Sequence, residues 1–214
     1  MKKILDKYRL CFSNKKFVYS VIFSALFLII SLIFNFYAGV YATEKASNPV
    51  QDIILSNTSP INVDGTFIYG PLIIWFFVSF LLLSEPKRIP FTLKTITLFV
   101  FIRFIFFSIT HLGPFPDHIN LDYSSFLVWA FTSGGDLFFS GHTGLPFLLS
   151  FIFGYNFYIR LFFILSSVFF GIIVLLAHLH YSIDVLSAFF ISYSIFKIAE
   201  TIFAKDWKIF NDNI

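Results

Sequence analysis

Phe138-Phe139-Ser140-Gly141-His142-Thr143 is the stretch from which the fold can be read. A small, turn-forming centre stands between aromatic residues and the almost wholly apolar run 144–154. That order predicts a turn feeding a short apolar helix, with Ser140 as its N-cap. A second polar knot, His180-Tyr181-Ser182-Ile183-Asp184, again stands just before an apolar run. Between the two knots lie almost only Phe, Leu, Ile and Val. Two imidazoles, a hydroxyl and a carboxylate, each held at the mouth of a hydrophobic segment, describe a reactive site at a membrane surface.

Working outward, the composition agrees. The 214 residues are 57% hydrophobic and 13% charged, whereas ordinary soluble domains carry about 25% charged residues. A globular core cannot absorb that excess of apolar side chains; a bilayer can. The length fits one domain. A single cysteine, Cys11, excludes an intramolecular disulfide and a cysteine-built zinc site. No repeat and no basic stripe suited to nucleic acid is present.

Residues 1–16 are basic and read as a cytoplasmic N-terminal segment. The apolar run from Phe17 to about Ala42 exceeds the 7–15 residues of a signal-peptide core and reaches the ~20 needed to span. It is read as a retained first helix, with Val40-Tyr41-Ala42 as the alternative cleavage site. Further spans are expected at Phe67–Leu83, Phe91–Thr110, Ser140–Gly154 (short), Leu161–Ala177 and Ile183–Phe203. Residues 17–203 thus form a six-helix, all-α membrane bundle, and 204–214 a cytoplasmic tail. Lys and Arg gather in the N-terminus, at Lys87 and Arg88, at Arg160 and in the tail. By the positive-inside rule the termini are cytoplasmic. Loops 43–66, 111–136 and 178–182 then face the periplasm, a lumen or the exterior. This places His142 and His180 at the same membrane face. Asn57-Thr58-Ser59 is a glycosylation sequon in one of those loops.

His180 and Asp184 are one helical turn apart, so both lie on one face. A carboxylate there accepts from one imidazole nitrogen and leaves the other as nucleophile or base; a capping Asp beside an interfacial His fits the same spacing. Ser140, Gly141 and His142 open a helix whose free N–H groups favour phosphate. Gly141 allows close backbone approach, and His142 is placed to protonate a leaving oxygen. Arg103 offers a rigid fork to phosphate, or to an acid of the outer loops. Lys94 is expected to snorkel to the headgroups. Lys197 and Glu200 read as a helix-stabilising pair. His111, His118 and His178 read as solvated or interfacial, and no metal ligand cluster is evident.

Gly135-Asp136-Leu137-Phe138-Phe139-Ser140-Gly141-His142-Thr143, together with His180-Tyr181-Ser182-Ile183-Asp184-Val185-Leu186-Ser187-Ala188-Phe189, resembles the two signature motifs of the sphingomyelin synthase family. That family is a branch of the lipid phosphate phosphatase (PAP2) superfamily. Arg103 followed by Leu112-Gly113-Pro114-Phe115-Pro116 resembles its third-helix arginine and the prolines after it. Pro49-Val50-Gln51-Asp52 resembles its first outer-loop motif at two of four positions. The resemblance implies six spanning helices, no cofactor and no metal. It implies a phospholipid donor, with phosphocholine or phosphoethanolamine moved to ceramide, diacylglycerol or another lipid alcohol. By the same resemblance His180 is the nucleophile, Asp184 its orienting acid and His142 the acid–base. Asp136, Tyr181, Ser140, Gly141 and Arg103 then lie on the phosphate or headgroup side. The Lys-Arg-Pro and Ser-Arg motifs of the phosphatases of that superfamily are missing, which favours transfer over phosphate release. Hydrolysis by the same histidines, as a lipid phosphatase or phospholipase C, and a non-enzymatic membrane subunit remain the alternative readings.

Overall fold

The computed structural model describes residues 2–119 and 137–211, and all that follows concerns those residues. They are helical and contain no strand. In chain order the helices are α1 (Lys2–Phe12), α2 (Lys15–Glu44), α3 (Asp64–Ser84), α4 (Ile89–Ile109), α5 (Gly141–Ile152), α6 (Phe157–Leu176), α7 (Ser182–Ile202) and α8 (Ala204–Asn211). Short 3-10 turns occur at Leu55–Asn57 and Pro86–Arg88.

Local chemistry sets these boundaries. Asn14 caps α2 by accepting from the Lys16 amide at 3.0 Å, and Asn156 caps α6 by accepting from Tyr158 and Ile159. Pro86 and Pro90 end one segment and open the next, where their missing N–H groups are not needed. Five helices, α2, α3, α4 with its preceding turn, α6 and α7, are long and apolar enough to cross a membrane. The chain is a multi-pass integral membrane protein. Helix α5 has 12 residues, or ~18 Å at 1.5 Å per residue, and is by itself shorter than the ~30 Å hydrocarbon layer.

The tail makes up the missing depth beneath α5. Helix α8 folds back so that Phe210, 2% exposed, meets Phe91 at 5.7 Å, Phe153 at 6.3 Å and Trp207 at 5.3 Å between ring centres. Arg88 lies over the Tyr155 ring at 3.7 Å. The same fold-back corrects the expectation for Lys94. Its ammonium does not snorkel; it binds the Asp206 carboxylate at 2.6 Å and the Ser20 hydroxyl at 2.8 Å. The tail brings an acid within reach, and a paired charge has no reason to seek headgroups. Lys197 and Glu200 pair at 2.7 Å, as their spacing suggests. The N-terminal segment is also helical: α1 packs on α2 and ties to the Pro86–Arg88 turn through Lys7 and Glu85.

Two packing units result. Helix α2 runs along α4, and α5 is gripped between α6 and α7. The grip uses small residues, as membrane interfaces do. Ser167 donates to the Thr143 carbonyl at 2.6 Å, and Ser192 donates to the Gly144 carbonyl at 3.0 Å. A side chain at Gly144 would stand 2.8 Å from the Ser192 hydroxyl and 3.0 Å from the Phe99 ring. The start of α5 is therefore held at a fixed height against α7. Helix α3 leans on α6 rather than on α2, leaving space between them.

Candidate active site

The second knot forms the entry to α7. Asp184 is fully buried in the first turn. Its Oδ2 accepts from the Tyr181 amide at 3.1 Å and lies 3.2 Å from His180 Nδ1. An acceptor at Nδ1 fixes the tautomer of the neutral ring: Nδ1 carries the proton, and Nε2 keeps its lone pair. His180 is 5% exposed. The two expectations for Asp184, cap and histidine partner, are both met by one carboxylate oxygen. Its other oxygen, Oδ1, is buried and has no partner among the described residues.

The first knot is bolted to the second. Ser140 is the N-cap of α5, its hydroxyl accepting from Thr143 N at 3.4 Å. The Ser140 amide donates to the Asp184 carbonyl at 3.1 Å. The openings of α5 and α7 are thus adjacent, which places the two signature stretches at one end of the bundle. Phe138, at φ 78°, takes the left-handed conformation that swings the chain into this turn.

His142 follows one residue into α5. Its Nε2 lies 3.3 Å from the Phe67 carbonyl, and its ring stacks on Phe67 at 4.0 Å. Arg103 sits directly over the same turn. A Cβ on Gly141 would come within 3.1 Å of Arg103 Nε, so a larger residue here would press the guanidinium back by a few tenths of an ångström. Arg103 Nε donates to the Phe139 carbonyl at 3.2 Å. Arg103, Ser140, Gly141, His142, His180 and Asp184 are therefore brought together. Asp136 lies outside the described residues.

Tyr181 is placed differently. Its hydroxyl donates to the Gly113 carbonyl at 2.7 Å and accepts from Val50 N at 3.3 Å. It ties two loops together behind α7. His178 departs from expectation: it is 2% exposed, not solvated, with Nε2 at 3.1 Å from Thr58 Oγ1. The loop from 45 to 63 folds over this turn, with Ile61 N donating to the Leu176 carbonyl at 2.8 Å. His111 lies on the Ser108 carbonyl in the last turn of α4, and His118 on the Phe115 carbonyl of its own loop.

Asp52 was visible in the sequence only through a partial motif. Its Oδ2 accepts from Ser182 N at 2.7 Å, and its Oδ1 accepts from Ile54 N at 2.9 Å and Leu55 N at 3.2 Å. Burial by itself raises its carboxyl, but the bonds from Ser182, Leu55 and Ile54 outweigh it and hold the group below its ordinary value. Asp52 is a second cap on α7, supplied by a distant loop. No local pattern marks which amide such a loop acid will meet.

A cavity of about 180 Å3 opens beside this centre. Arg103, Gly141, His142 and Asn35 supply its polar walls, and Trp75 and Phe99 are among its apolar ones. His180 and Asp184 are not among its wall residues. Among the described residues, no group of three or more His, Cys, Asp or Glu is placed to share a metal ion.

Comparison with known families adds one finding. Residues 133–201 match the family described as PAP2 superfamily C-terminal. That span runs from just before the first knot almost to the end of α7, so it contains both knots and the grip around α5. No curated protein and no solved structure matches the chain.

Proposed function

We propose that the protein is a phosphotransferase that moves a phospholipid headgroup to a lipid alcohol through a phosphohistidine. The observation that carries the reading is the 3.1 Å bond from Ser140 N to the Asp184 carbonyl. It joins a histidine oriented by a buried carboxylate to a helix opening that holds a second histidine and an arginine. In the first step His180 Nε2 attacks phosphorus, an N–P bond forms, and the ester P–O bond to diacylglycerol breaks. His142 gives its proton to the departing oxygen. In the second step the entering alcohol loses its proton to His142 and displaces His180. Splitting one displacement into two is what covalent catalysis offers. The positive N-terminal end of α5 and the Arg103 guanidinium supply the anion site. The distribution of Lys and Arg supports a site at the outer face.

The test is direct. Detergent-purified protein, given a fluorescent ceramide and mixed phospholipids, is expected to form a phosphodiester sphingolipid, with a chelator present or absent. Release of headgroup phosphate and diacylglycerol, with ceramide untouched, would replace this reading with a hydrolase that uses the same histidines.

A further inference from the structure

Asn35 stands in the middle of α2, far from any helix end. The other buried polar groups of that helix look after themselves. Ser24 donates to Val21 O and Ser31 to Leu28 O, each at 2.8 Å. Asn35 does not: its Oδ1 is buried and has no hydrogen-bond partner among the described residues. An unmatched amide oxygen inside a membrane-spanning helix is costly, and such groups face a cavity or a partner. Asn35 faces the cavity described above.

Its height in the bundle is informative. Phe34 stacks on Phe104 at 6.0 Å, which sets Asn35 level with Arg103. His142 and Gly141 line the same cavity from α5. The polar side of the cavity is thus made from three helices, α2, α4 and α5. The remaining wall, with Leu32, Leu72, Ile74 and Trp75, is apolar. A ligand that satisfies every part of this surface has an alkyl chain, sits beside the phosphate site, and carries an O–H or N–H donor one side chain away from it.

We infer that Asn35 is a specificity residue for the lipid alcohol, accepting a hydrogen bond from its reacting hydroxyl while the chain fills the cavity. The inference rests on the transfer reading for its chemistry, but the binding event exists whether or not turnover follows. Both alcohols of the proposed reaction, the departing diacylglycerol and the entering acceptor, present such a donor. Once that hydroxyl is esterified to phosphate or capped as an ether, it has no proton to donate.

Trp75 in the cavity wall allows a test that does not depend on activity. Trp129→Phe and Trp207→Phe leave Trp75 as the sole indole. Brominated diacylglycerol and brominated ceramide are titrated separately in detergent, each against its O-methyl ether, with unbrominated alcohol as competitor. Saturable, competable quenching is expected, weaker in affinity by about threefold to tenfold for the ether of the preferred alcohol, the magnitude of one neutral hydrogen bond. Asn35→Leu should weaken binding of the free alcohol by a similar factor and abolish the difference between alcohol and ether. The arm with the larger alcohol–ether difference identifies the source of the donor. Equal affinity of alcohol and ether in the unsubstituted Asn35 protein would overturn the inference, leaving water as the partner of Asn35; that comparison needs no Asn35 variant to fold. Normal alcohol discrimination with no headgroup transfer would retain the inference and discard the transferase.

Discussion

At His180 the chemistry depends on which ring nitrogen faces the carboxylate. Asp184 Oδ2 takes Nδ1, and Nε2 is left to act as nucleophile. At His142 the Phe67 carbonyl takes Nε2, and the neighbouring arginine marks the anion side. The proposed roles differ in how they respond to the leaving group. His142→Ala is expected to slow transfer from an ordinary glycerophospholipid by about 10²–10⁴-fold, the usual worth of a general acid. It should cost far less with a p-nitrophenyl phosphodiester, which departs without a proton. His180→Ala should abolish both. Asp184→Asn should retain the fold and lose most of the rate by disorienting His180. Quenched-flow trapping of phosphohistidine with the activated donor reads all three. Trapped intermediate in His180→Ala, or an equal loss with both donors in His142→Ala, would reverse the assignment.

Among the elements, α7 depends most on its cap. Two acids hold its opening: Asp184 from within the helix, and Asp52 from the loop before α3. The Asp52 carboxyl is held below its ordinary value of 3.8. A depressed acid stabilises the folded state fully above its unfolded pKa, and that stabilisation is lost as pH falls through the folded value. The melting temperature of the detergent-solubilised protein should therefore hold through mildly acid pH and fall below about pH 4, where the unfolded carboxylate already takes its proton. Asp52→Asn should lower it at pH 7 by weakening charge-assisted bonds, each worth about 1.5–3 kcal/mol. It should also flatten the acid limb. An unchanged acid limb in Asp52→Asn would show that another group controls it.

For the whole molecule the outstanding matter is which way the bundle points. The basic segments lie at the end where α1, the Pro86–Arg88 turn and α8 gather. The two knots lie at the other. Cys11 cannot report on this, because it is 8% exposed and would be silent on either side. In a Cys11→Ser background, a cysteine at Ile53, which is 81% exposed, should react with an impermeant thiol reagent in intact cells. One at the exposed Lys16 should react only after permeabilisation. The opposite pattern would turn the site towards the cytoplasm and remove outer-leaflet lipids as its substrates.

The apolar runs, their length and the polar knots were determined by the sequence by itself. Hydropathy and helical spacing are local properties, so spans, the Ser140 cap and the Lys197–Glu200 pair could be read without a neighbour in view. The pairing of His180 with Asp184 belongs here too, because one helical turn brings them together wherever the helix lies. What needed the tertiary structure were the contacts between distant segments. Asp52 on the amide of Ser182, Asp206 on Lys94, His178 buried against Thr58 and Tyr181 on Gly113 each join residues that no periodicity connects. Helix α8 is not legible in the sequence, because Trp207 and Phe210 stand among Lys residues and have meaning only against the bundle they pack on. In the sequence Asn35 is one polar residue in a long apolar run. Only the packing of α2 along α4, with α3 drawn towards α6, turns its amide towards a cavity. A buried group is then left without a partner, and that is a property of the space around it rather than of the chain.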